Sequence, residues 1–176
     1  MFTKNKMESP INPLTQIHVA VNQLYFSETL TLKTILGSCV SVLIFCPGDK
    51  LFYSSMSHYL LPEIQKNDLN IENQDKYGDL LLIKQIHGML ERANYKTEFK
   101  AMVFGGANIK NQFKSPLIAD IGKRNIDVAI DTLKIHKIEI VGRDIGGETG
   151  RFVEFNPLQK IASVRRLASN EVFSYR

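Results

Sequence analysis

The sequence predicts a mixed α/β or α+β domain, mostly strand, with two well-formed helices. Three observations carry that reading. Strand signals arrive in runs and do not alternate one for one with helices, which argues against a strict βαβ repeat. One run, VSVLIF at 40–45, is short, β-branched, preceded by Gly37 and followed by Pro47-Gly48. Two segments, 78–94 and about 122–136, carry apolar residues at helical spacing. The 176 residues fit one domain. A chain of this size hides roughly 70% of its unfolded surface, enough for a core without covalent staples.

In order along the chain, residues 1–16 are polar, contain Pro10 and Pro13, and read as a flexible arm. A domain over 17–168 follows, and 169–176 reads as a frayed tail. Ile17, Val19, Val21 and Leu24 suggest one short strand with a single buried face, and Thr29–Leu32 continues in β-prone residues. After VSVLIF, Pro47-Gly48-Asp49 marks a turn, so Leu51–Ser57 returns as the hairpin partner. SHYLLP at 57–62 ends that strand, and the polar stretch 67–77 is a loop. The first helix turns Leu82, Ile83, Ile86, Met89, Leu90 and Ala93 to one face. Phe99–Phe104 is a strand stopped by Gly105-Gly106, and 109–115 is a loop. The second helix turns Ile126, Ala129, Ile130 and Leu133 inward. Ile138–Val141 is a strand, and 151–155 with 161–167 closes the domain as a hairpin about Asn156-Pro157.

Composition excludes several classes. Apolar residues make up 44% and charged residues 23%, as in globular proteins. The two cysteines are too few for a disulfide scaffold, and four separated histidines give no zinc cluster. No P-loop or dinucleotide glycine fingerprint is present. The charge of 22 − 18 = +4 is mild and scattered, with Lys123-Arg124 and Arg165-Arg166 as adjacent basic pairs and no longer basic run, so nucleic acid is not the expected partner. No apolar segment of signal-peptide character opens the chain, and the longest apolar stretch, 35–46, is too short to span a bilayer. The expected location is the cytoplasm, with free thiols and no membrane insertion.

That leaves the use of Cys39 and Cys46. Cys39 follows Gly37-Ser38 at the mouth of the strongest strand, where backbone amides can approach an oxyanion. It is either a small buried hydrophobe or a nucleophile. Cys46 closes an apolar run and reads as packing. A nucleophilic thiol needs a base, and His58 stands 58 − 39 = 19 residues on. The hairpin returns between them and places both at the same end of the sheet. A reactive Cys39 is expected to alkylate faster than Cys46, and at a pH below that of an ordinary thiol. His87 and His136 fall on helices and read as solvated. Thr34 and Thr31 are candidate hydroxyls to orient the imidazole. Gly105, Gly106, Asn108, Gly146 and Gly147 are candidates to border the cleft, and Arg124 and Asn125 to bond a neighbouring loop.

Six separated motifs now carry a resemblance: LGSCVSV (36–42), SHYLLP (57–62), FGGAN (104–108), IGKRN (121–125), DIGGETGR (144–151) and VEFNPLQK (153–160). In order and approximate spacing they resemble the chemotaxis deamidase CheD family over about 17–167. The resemblance implies a chemoreceptor glutamine deamidase with a Cys-His-Thr site on a single-domain layered α/β sandwich, similar to the cytotoxic necrotizing factor toxins. Its sheets would be mixed and mostly antiparallel. It implies no cofactor and no metal. It carries the catalytic cysteine onto Cys39 and the histidine onto His58. Some members place the threonine six residues before the cysteine, where this sequence has Lys33. The assignment here falls one residue later, on Thr34. The implied partners are methyl-accepting chemotaxis receptors as substrate and the phosphatase CheC. A rival expectation is an adaptor that binds both, with catalysis secondary.

Overall fold

The computed structural model describes residues 15–48, 53–64, 73–93, 98–109, 121–169 and 171–176. Among the described residues, ten strands and two long helices form three layers. The strands are β1 (Gln16–His18), β2 (Gln23–Ser27), β3 (Thr31–Leu36), β4 (Val40–Phe45), β5 (Ser54–Tyr59), β6 (Lys100–Gly105), β7 (Glu139–Ile145), β8 (Arg151–Asn156), β9 (Ile161–Arg166) and β10 (Val172–Tyr175). The helices are α1 (Gly78–Arg92) and α2 (Ile121–Ile135). One five-stranded sheet runs β1-β3-β8-β9-β10 and the other β2-β5-β4-β6-β7. The β1/β3 and β6/β7 pairs are parallel and the others antiparallel. This is the layered sandwich of mixed, mostly antiparallel sheets that the resemblance implied.

Two cores hold the layers together. Leu32, Leu36, Leu43, Met56, Phe104, Val153 and Phe155 pack between the sheets. Val42, Ile44, Leu82, Ile86, Met89, Ala129 and Leu133 pack between the second sheet and the helices. β4 is central and covered on both faces, so all six of its residues are buried. This explains its unbroken apolar run, as expected where neither face meets water. β5 lies beside it and is equally buried, although its sequence is SSMSHY. Its hydroxyls find partners: Ser54 Oγ donates to Ser27 O at 2.6 Å, and Gln85 Nε2 donates to Ser55 Oγ at 3.0 Å.

Three expectations change. The single strand read over 17–24 is two, one in each sheet. The chain crosses between them through Asn22, held at φ 64°, a left-handed conformation that asparagine tolerates better than most residues. The segment 169–176, read as frayed, contains β10, which adds antiparallel to β9. Tyr175 anchors it, its ring set edge-on to Phe104 at 5.8 Å. The third strand begins at Thr31 and runs to Leu36, later than the composition suggested. The arm at 1–14, much of the 67–77 loop and most of the 109–115 loop lie outside the described residues. Among the described residues, no helix is long and apolar enough to cross a membrane.

Candidate active site

The site sits at one end of the space between the sheets. β4 and β5 pair with Ser41 opposite His58 and Val40 opposite Tyr59. Side chains alternate along a strand, so His58 shares the inter-sheet face with Met56. Cys39 is one residue outside β4 and two before Ser41, hence on that same face, where it packs against the inter-sheet core. Continuing the register makes Cys39 and His58 diagonal neighbours, a relation that separates Cα atoms by roughly 7–8 Å and lies within reach of long side chains. Cys46 is seven residues on, an odd step. It therefore falls on the opposite face, in the core beneath the helices, with its N–H bonded to Tyr53 O at 3.0 Å. Strand parity alone thus separates the two thiols.

The same alternation sorts the hydroxyls. Leu32, Thr34 and Leu36 of β3 point inward and are buried, whereas Thr31, Lys33 and Ile35 point outward; Ile35 is 54% exposed. Lys33 Nζ reaches away to Gln16 Oε1 at 2.8 Å. Thr34 Oγ1 lies 2.9 Å from His58 Nδ1 and 2.7 Å from Val19 O. Val19 O is itself 3.3 Å from His58 Nδ1. The carbonyl belongs to the stretch where the chain leaves β1 for the second sheet, so it meets both side chains.

This network assigns the tautomer. Thr34 has one hydroxyl proton, and Val19 O can only accept, so that proton goes to Val19 O. Oγ1 then accepts from Nδ1–H, and Nε2 keeps its lone pair. Nε2 is buried and makes no hydrogen bond. Cys39 and His58 are therefore neighbours on one face, but no thiol–imidazole hydrogen bond joins them here. Such bonds often tighten only when substrate arrives.

Electrostatics favour a neutral pair. Burial pushes the His58 pKa below the usual 6.5; the Val19 carbonyl opposes this and nearby His18 adds to it. Burial also pushes the Cys39 thiol above the usual 9.0, with its own backbone N–H acting the other way. Desolvation of a sulfur packed against an apolar core outweighs that single amide, which runs against the expectation that Cys39 alkylates at a pH below an ordinary thiol's.

The loop before Cys39 is held by the two other elements that end here. Gly106 N–H donates to Cys39 O and Ala107 N–H to Gly37 O, each at 2.8 Å. Gly105 is at φ +107°, and a Cβ there would lie 2.2 Å from Cys39 O. From α2, Asn125 Nδ2 donates to both Ser38 O and Leu60 O at 3.0 Å. Tyr59 Oη in turn donates to Asn125 O at 2.6 Å. Asn108 N–H bonds Gly147 O, and Gly146 N–H bonds Gly105 O, so the doubled glycines brace each other.

Known proteins match this chain. Residues 60–166 fit the family described as CheD chemotactic sensory transduction. A probable chemoreceptor glutamine deamidase CheD of Oceanobacillus iheyensis is 33% identical over 132 residues, 75% of this chain and 78% of that protein. The chain belongs to the CheD family. A second relative with the same description, from Zymomonas mobilis, is 29% identical over 168 residues, covering 94% of this chain and 88% of its own length. A chemoreceptor glutamine deamidase CheD of Halalkalibacterium halodurans is 30% identical over 142 residues, covering 80% and 86%.

Sequence reasoning missed one cluster in this CheD-family chain. Arg151, fully buried, donates to the Asp144 carboxylate and backbone carbonyl and to Gly146 O. Arg166 Nη2 joins the same carboxylate at 2.9 Å. The cluster shapes the 144–150 turn that braces Gly105 and Asn108. Its signal was an aspartate and an arginine flanking two glycines, which the sequence does not separate from ordinary surface charge. The Val19 carbonyl had no signal at all, since every residue carries one. Neither His87 nor His136 joins the site; both are exposed on the surface.

Proposed function

We propose that this chain is a protein-glutamine deamidase that converts glutamine side chains of methyl-accepting chemotaxis receptors to glutamate and releases ammonia. The observation that carries this reading is the Thr34–Val19–His58 network, which leaves His58 Nε2 unprotonated on the face that Cys39 shares. The names of the relatives supply the substrate class.

The chemistry runs in two halves. Cys39 Sγ attacks the carboxamide carbon while its proton passes to His58 Nε2, and the carbonyl oxygen takes the negative charge. The intermediate collapses, the C–N bond breaks, and Nε2–H protonates the nitrogen, which leaves as ammonia. A thioester remains on Cys39. Water then attacks the same carbon and gives its proton to Nε2. The C–S bond breaks, the sulfur recovers a proton from Nε2–H, and glutamate is released. In both halves Nδ1–H keeps its bonds to Thr34 Oγ1 and Val19 O, so the ring needs no reorientation as it becomes charged. A glutamyl methyl ester has the same acyl carbon with methanol as leaving group, and fits the same site. An adaptor of receptors and the CheC phosphatase would not require a base held in one tautomer beside a thiol.

Mass spectrometry of receptor cytoplasmic fragments incubated with wild type and with Cys39→Ala tests the reading. A gain of about one dalton per modified glutamine, confined to wild type, is expected from the amide-to-acid exchange. Equal spectra for the two proteins, with receptor binding retained, point instead to the adaptor.

A further inference from the structure

The carbonyls of three successive residues before and at the nucleophile are all engaged. Gly37 O accepts from Ala107 N–H, Cys39 O from Gly106 N–H, and Ser38 O from Asn125 Nδ2. In a planar trans peptide the C=O and the following N–H point in opposite directions, and no cis peptide occurs among the described residues. Each N–H of Ser38, Cys39 and Val40 therefore points away from the donor that holds the carbonyl of its own peptide. The Cys39 N–H belongs to the residue that carries the sulfur and acts on it, lowering the thiol pKa against burial; an oxyanion formed when that sulfur adds to a carbonyl develops beside such an N–H.

Two of the three donors are backbone amides. Asn125 is the one side chain, and it holds the peptide whose N–H belongs to Cys39. Its second N–H fastens Leu60, two residues beyond His58. Gly122 brings the first turn of α2 close enough for this, since a Cβ there would lie 2.6 Å from Gly106 O.

We propose that Asn125 is the positioning residue of the oxyanion hole, orienting the Ser38–Cys39 peptide so that the Cys39 N–H meets the developing negative charge. This rests on the deamidase reading. Asn125 touches no reacting atom; it acts through the peptide it holds.

Acyl transfer and alkylation separate this role from general scaffolding. The thiol displaces iodide from the saturated carbon of iodoacetamide and no oxyanion forms, so this reagent reports the thiol alone. The variants are Asn125→Ala and the near-isosteric Asn125→Asp, whose carboxylate offers no N–H to Ser38 O. Each is assayed for ammonia release from a receptor fragment, for alkylation of Cys39 followed by mass spectrometry, and for inhibition by a peptide aldehyde that adds to the thiol as a tetrahedral adduct. For a folded variant, kcat is expected to fall on the order of 10²-fold, with KM and the alkylation rate within about twofold of wild type. Aldehyde affinity is expected to weaken in parallel with kcat, as for any mimic of the tetrahedral intermediate. An unchanged kcat overturns the proposal. So does a joint fall of kcat and alkylation, or loss of the fold in both variants, because Asn125 would then be scaffold. If wild type itself releases no ammonia, the deamidase reading fails first and this inference with it. An active wild type with an equally active Asn125→Ala sinks this inference alone.

Discussion

Thr34 and His58 belong to different sheets, yet Thr34 Oγ1 lies 2.9 Å from His58 Nδ1, and both lie against the carbonyl of Val19. The contact decides which imidazole nitrogen is free, and it makes the proposed base a property of how the two sheets pack.

Thr34→Val keeps the shape of the side chain and removes the hydroxyl. His58 Nδ1–H is then left with the longer contact to Val19 O. Ammonia release is expected to fall about 10- to 100-fold, a part of what a positioned general base contributes, and Thr34→Ser should restore most of it. Stability should drop by about 1–2 kcal/mol for the lost buried hydrogen bond, read from a thermal melt. Equal activity in the Val and Ser variants would count against an orienting role.

The pH dependence follows from the two directions of shift. With His58 below 6.5 and Cys39 above 9.0, the reactive form is neutral thiol with neutral imidazole. The kcat/KM profile should have its acid limb at His58, below 6.5, and its alkaline limb at Cys39, above 9.0, with a broad plateau between. A preformed thiolate–imidazolium pair would give the reverse assignment, which isotope-labelled histidine NMR distinguishes by the pH at which His58 titrates. Stability carries the same signature. Because the folded pKa of His58 is depressed, its contribution is complete above 6.5 and is lost as pH falls through the folded value.

Gly105→Ala places a methyl group 2.2 Å from Cys39 O at a backbone angle of +107°. Neither the strand pairing nor the carbonyl can yield without moving Cys39. Destabilisation of about 1–3 kcal/mol from backbone strain is expected. Ammonia release should fall as well, measured well below the melting temperature. A variant with normal activity there would show that the Cys39 carbonyl is free to shift.

Asp144→Ala strands the charge of Arg151, whose side chain is 0% exposed. Removing one partner of a buried ion pair costs about 3–5 kcal/mol, so a large fall in the urea midpoint is expected. A loss of less than about 1 kcal/mol, the scale of an exposed pair, would mean that Arg151 finds water or another acceptor.

Much of the secondary structure is legible in the sequence because local signals are strong there. VSVLIF, the two helical periodicities and the Asn156-Pro157 hairpin each state their element without outside help. The division of 16–27 between two sheets is not legible, because the crossing at Asn22 depends on where the other strands lie. β10 is not legible either; its residues become a strand because β9 offers an edge and Phe104 receives Tyr175.

By itself the sequence determined which residues were available for chemistry: one cysteine at a glycine-bounded strand mouth, one histidine returned to it by a hairpin, and hydroxyls nearby. It also carried the family motifs. Tertiary structure decided the rest. Thr34 meets His58, and Thr31 and Lys33 do not, because of the three only Thr34 shares the inward face of β3 with Leu32 and Leu36. Its partner is a histidine on another sheet, 24 residues away in sequence. Local sequence sets the parity of a strand, whereas which strand lies across the gap is set by how the layers bury their apolar faces.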